Sequence, residues 1–139
     1  PIVGAVLAGD SGATLALARH CAAVLLRIGH RVVAAAALVD ALAALHGAGA
    51  AVDDVTALFH DDEIDGLPPQ RLRVLAVATV AERPVLAARV AGFGDVDVVG
   101  VEDVPDSVTE PVGAGRVETQ LAMLAVRMEM AAVYLRLAG

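Results

Sequence analysis

Apolar residues run along the chain in two rhythms, one of period two and one of spacings three and four. Residues 2–8, IVGAVLA, read as a short strand, and GDSG follows as a turn. Leu15, Ala18, Ala22, Leu25 and Ile28 then mark one face of a helix, with Ser11 or Asp10 as its N-cap and Gly29 as its end. HRVVAAA (30–36) predicts a second strand, although its alanine run fits the start of the next helix equally well. Leu38, Leu42 and Leu45 predict a helical stripe stopped by HGAGA (46–50). Asp53 and Asp54 open a short helical piece around VTALF, and HDDEIDGLPP (60–69) is the strongest interior break. RLRVLAVATV (71–80) is the clearest strand. Leu72, Val74, Ala76, Ala78 and Val80 take one face, and Leu75, Val77 and Thr79 take the other. Apolar character on both faces is the mark of a parallel strand covered on both sides. In ERPVLAARVAGFG (82–94), Pro84 suits a first helical turn and Gly92 a C-terminal cap. DVDVVGVEDV (95–104) predicts a further strand and PDSVTEPVGAG (105–115) a loop. Residues 116–138 form the best helix in the chain.

Strands alternating with helices predict one α/β domain over residues 1–139. Its architecture is three-layered: a mostly parallel sheet of four or five strands with helices packed on it, and a long C-terminal helix. That last helix carries two apolar stripes. One is Val117, Leu121, Leu124, Met128, Ala131 and Leu135; the other is Met123, Val126, Met130, Val133 and Leu137. Together they exceed the arc of roughly 100° that a one-sided surface helix needs. One stripe can face the sheet, so the other predicts a homo-oligomer built through helix 116–138 or, alternatively, a helix sandwiched within its own domain.

Composition sharpens this picture. Hydrophobic residues make up 58% of the chain and aromatics 2%, so the core rests on many small side chains, and disorder is excluded. All ten basic residues are Arg, and the formal charge of −7 argues against a nucleic-acid partner or an anionic membrane surface. No apolar run reaches transmembrane length without a charge, Gly or Pro. No basic segment follows Pro1 as a secretory signal requires, and the single cysteine, Cys21, cannot form an internal disulfide. These features, with the absence of Lys, point to a bacterial cytosol.

Absent side chains exclude several chemistries. Without Lys there is no Walker loop, Schiff base or lysine general base. Ser11 and Ser107 are the only serines, and neither lies in a G-x-S-x-G motif. Cys21 and His20 are adjacent on a helix and point apart, so Cys21 reads as a buried filler. The acidic run His60, Asp61, Asp62, Glu63 and Asp65 misses the EF-hand pattern and reads as a solvated loop; no metal site is assigned. His46 reads as a helix C-terminal residue favoured by the dipole, and His20 and His30 as structural.

One constellation remains. Gly9, Asp10, Ser11, Gly12 and Thr14 form a loop between a strand and a helix N-terminus, where unpaired N–H groups favour an anion. If the sheet is parallel, Asp103, Asp106, Ser107 and Thr109 lie on the same sheet edge, with Glu82 and Arg83 after the third strand; Arg83 is the natural clamp for a carboxylate or phosphate. Asp10 opposes an anion there, and an Asp/Ser-capped turn accounts for the same residues. The expectation is a domain binding a small anionic molecule at the C-terminal edge of the sheet, whether or not it is an enzyme. The rival is a non-catalytic assembly subunit that oligomerises through its last helix. Neither reading names a cofactor.

PIV at the amino terminus, followed by a strand, a Gly turn and a helix over about 28 residues, is similar to the start of the tautomerase superfamily. That resemblance implies an acid/base role for the amine of Pro1. Where that family often carries Arg after the Gly turn, this chain has Asp10.

Overall fold

The computed structural model describes residues 2–28, 32–50, 71–101 and 115–138. The elements in chain order are β1 (Ile2–Gly9), α1 (Gly12–Arg27), β2 (Val32–Ala37), α2 (Leu38–Ala50), β3 (Arg71–Val77), α3 (Arg83–Val90), β4 (Val96–Val99) and α4 (Val117–Ala138). The four strands form one sheet in the order β2-β1-β3-β4, with every neighbouring pair parallel.

The period-two pattern of the central strands explains the layers. Leu7, Leu75 and Val77 point to one face, where α1 and α4 supply Leu17, Ala18, Cys21, Leu25, Leu124 and Ala132. Ala8, Val74, Ala76 and Ala78 point to the other, against Leu38 and Ala41 of α2 and Leu86 and Val90 of α3. Crossovers between parallel strands are right-handed. A connection moving outward from β1 to β2 therefore lays its helix on one face. Connections moving the other way, to β3 and β4, lay theirs on the opposite face. The result is three layers, helices on sheet on helices.

The alanine run after Val33 belongs to the strand. It stays extended through Ala37, and α2 starts at Leu38 without a linker. Three expectations are corrected. HGAGA does not stop α2, which continues to Ala50 through Gly47 and Gly49, so exposed His46 lies inside the helix. A glycine costs about 1 kcal/mol in a helix interior, a penalty that context outweighs here. The third strand ends at Val77 instead of residue 80, because the side chain of Glu82 takes the N–H of Thr79 and starts a turn. The fourth strand is only Val96–Val99 within the described residues. On α1 the buried face is centred on Thr14, Leu17, Ala18, Cys21, Ala22, Val24 and Leu25, while Leu15 is half-buried. The helical piece around VTALF, the 60–65 acidic run, His30 and the 105–114 loop lie outside the described residues.

Helix α4 divides the two stripes read in the sequence only in part: Val117 and Leu135 of the first stay exposed, and Met123 of the second packs against the core. Leu124 and Ala132 are buried, and Leu121 and Met128 pack beside them. Val126, Met130, Val133 and Leu137 are 58%, 53%, 57% and 79% exposed. No helix among the described residues is long and apolar enough to cross a membrane.

Candidate functional site

β1 and β3 are neighbours, but the chain leaves β1 toward β2 on one side and reaches β4 from β3 on the other. Connections thus diverge at the carboxyl ends of β1 and β3. In open α/β sheets that divergence leaves the crevice where ligands bind. Residues 9–12 and 78–83 flank it.

The first flank is built by packing. A Cβ on Gly9 would lie 2.2 Å from the Leu15 nitrogen and 2.3 Å from the Thr14 carbonyl carbon. The first turn of α1 therefore rests directly on Gly9, and the need for glycine there is explained without a ligand. Ser11 is the N-cap. Its Oγ accepts the N–H of Thr14 at 3.2 Å, and Thr14 Oγ1 accepts the N–H of Ser11 at 3.0 Å. Such a cap is worth about 1 kcal/mol. Thr14 is fully buried and spent on this clasp. What remains is the N–H groups of Gly12 and Ala13, exposed residues whose first-turn position gives them no intrahelical acceptor. A Cβ on Gly12 would meet nothing within 4 Å, so the approach is open.

Asp10 is not an isolated negative charge. Arg89, in the last turn of α3, donates from Nη1 to Asp10 Oδ1 at 2.7 Å. The pair neutralises the carboxylate that opposed an anion in this loop and brings a guanidinium to it.

The second flank repeats the clasp. The Thr79 N–H and Oγ1 both donate to Glu82 Oε2, at 2.9 and 3.0 Å, and the Glu82 N–H returns to Thr79 Oγ1 at 3.4 Å. Arg83 opens α3, its N–H bonded to the Thr79 carbonyl at 3.0 Å. Gln120, 5% exposed, then ties α4 to this turn. Its Oε1 accepts the Val80 N–H and its Nε2 donates to the Gly115 carbonyl, both at 2.9 Å.

The structure thus brings Gly9, Asp10, Ser11, Gly12 and Thr14 together with Arg89, and sets Arg83 at the start of α3, beyond the turn that follows the adjacent strand. Asp103 and Ser107 lie outside the described residues, as does Pro1. Sequence reasoning missed Arg89, Thr79 and Gln120. The T-x-x-E spacing of Thr79 and Glu82 was a visible capping signature. Nothing local announces Arg89, which meets Asp10 across 79 positions.

Away from the crevice, His20 reaches Glu129 at 3.2 Å across α1 and α4, while Cys21 turns inward. Burial pushes the Cys21 thiol up to about 11, so it stays protonated at neutral pH. Cys21 lines a small cavity with Val77, Val99, Leu124, Met128 and Arg127, whose Nη1 is buried without a hydrogen-bond partner. Among the described residues, no cluster of three His, Cys, Asp or Glu side chains could hold a metal ion. Comparison with known protein families, curated proteins and solved structures finds no match to this chain.

Proposed function

We propose that this protein binds a small anionic molecule at the carboxyl edge of its sheet, between the 9–12 loop and the 79–83 turn. The observation that carries this reading is the divergence of the chain at β1 and β3, with the open α1 N-terminus and the Asp10–Arg89 pair beside it. The Gly12 and Ala13 N–H groups offer two donors, the α1 dipole adds partial positive charge, and Arg89 supplies a guanidinium. These groups recognise a phosphate or carboxylate; none of them is assigned a catalytic role. The test is a titration with inorganic phosphate followed by amide NMR. Shifts should concentrate at Gly12, Ala13 and residues 79–83, and should shrink in Arg89→Ala. Shifts spread evenly over the surface, or unchanged in that variant, reject the site.

A second reading is favoured by a separate observation. Seven large apolar side chains of α4 are exposed: Val117, Val126, Met130, Val133, Tyr134, Leu135 and Leu137. Of these, Val126, Met130, Val133, Tyr134 and Leu137 share one side of the helix, and an exposed apolar patch of that kind marks an interaction site. On this reading α4 is an assembly surface, and the two roles occupy different parts of the molecule.

A further inference from the structure

We propose that α4 pairs antiparallel with α4 of a second copy of this chain, in a single register centred between residues 131 and 132. The proposal rests on the assembly reading and adds to it the partner, the direction and the contacts.

Val126, Met130, Val133 and Leu137 are spaced by four, three and four, the repeat of a two-helix seam. All four are more than half exposed, while Leu124, Met128 and Ala132 hold the opposite side of the helix to its own sheet. The seam can therefore be covered without disturbing the domain. A two-fold axis between 131 and 132 sets Met130 against Val133 of the second copy, and Val126 against its Leu137. Each layer joins an unbranched or γ-branched side chain to a β-branched one.

The flanking positions choose the direction. In the antiparallel register Glu129 comes opposite Arg136 of the second copy, and the symmetry makes this pair twice. A parallel pair would instead set Glu129 beside Tyr134 and Arg127 beside Ala122, with no opposite charges meeting. Self-complementarity about its own centre is what a two-fold interface requires, and it identifies the occupant as another copy. Only Oε1 of Glu129 is engaged by His20, so Oε2 is left for Arg136.

Sedimentation velocity on the whole chain tests this. The wild type should be a dimer at about 100 µM. Met130→Glu with Val133→Glu should give a monomer whose far-UV circular dichroism is unchanged. Arg136→Glu should weaken the dimer about ten-fold, and Glu129→Arg added to it should restore affinity, because two like-charge contacts replace and then revert two favourable ones. In mixtures, Met130→Cys chains should cross-link to Val133→Cys chains more readily than either does to itself. A wild-type monomer overturns the assembly reading and this proposal together. A dimer indifferent to the Glu pair places the interface elsewhere and overturns both. A dimer that needs Met130 and Val133 but ignores Arg136→Glu, or in which Val133→Cys links best to itself, keeps the assembly reading and overturns the register.

Discussion

Gly9→Ala should be the most damaging single methyl group in the described part of this protein. The added carbon would lie 2.2 to 2.5 Å from three backbone atoms of Thr14 and Leu15, about 1 Å inside ordinary contact. Backbone cannot rotate aside as a flexible side chain can, so the first turn of α1 must lift off β1. A lift of that size forfeits a quarter to a half of the dispersion contacts along the opened gap. Here the gap opens among Leu7, Leu17, Ala18 and Cys21. Overpacking strain and lost contacts together put the cost at about 3–4 kcal/mol, against a total stability of about 10 kcal/mol for a domain of this size. Gly12→Ala is the control, because its Cβ meets nothing within 4 Å and its backbone is helical. It should be neutral or stabilise by about 0.5 kcal/mol through the unfolded chain's lost freedom. Urea unfolding followed by far-UV circular dichroism reads both. The Gly9→Ala midpoint should fall by roughly 2 M, and the Gly12→Ala midpoint should hold or rise slightly. A Gly9→Ala protein within 1 kcal/mol of wild type would refute the seating of α1 on β1, and with it the packing explanation of this glycine.

Two further outcomes follow from the α1–α4 layer. Arg127→Met should raise stability by about 1–2 kcal/mol, and the melting temperature by about 3–6 °C, because it removes an unpartnered buried donor and leaves apolar volume among Val77, Val99 and Leu124. Calorimetry in the Met130→Glu, Val133→Glu background excludes any contribution from association, and a drop in melting temperature would show that the guanidinium is satisfied in solution. Cys21 should react with a thiol reagent at pH 8 at least about 100-fold more slowly in the native protein than in urea, since its ionisation lies near 11 instead of 9.0. The raised value also fixes the sign of its pH effect: the unfolded thiol ionises first, so stability is unaffected below about pH 9 and declines between 9 and 11. A native labelling rate equal to the unfolded one would contradict the buried position.

The alternation of apolar residues made the layers legible. Leu75 and Val77 against Val74, Ala76 and Ala78 divide between the two faces as the period of two requires. The apolar breadth of α4 was equally plain, but which residues face the core was not: Val117 and Leu135 are exposed, and Met123 and Ala132 pack inward. Element ends were harder where a side chain sets them. The apolar pattern of β3 runs on through Val80, but the Thr79–Glu82 clasp ends the strand at Val77. Glycines at 47 and 49 looked like a stop, yet the helix crosses them. Strand order was not legible, because alternation says that crossovers exist and not which way they turn. The partner of Asp10 was hidden for a related reason: only the folded sheet brings α3 back beside the loop after β1. Ser11 was readable as a cap; that Thr14 would be consumed in returning the bond was not.

Tyr134 gives this chain an unusual optical property. It is the only tyrosine in a chain without tryptophan, and it is 66% exposed near the C-terminal end of α4, beside the outward seam. Nearly all near-ultraviolet emission therefore comes from one ring that is already in water in the folded monomer. Unfolding will change its signal little, whereas anything that settles on the outer face of α4 will change it directly. The protein is close to silent about its own core and carries an intrinsic reporter on the surface where a second molecule would arrive.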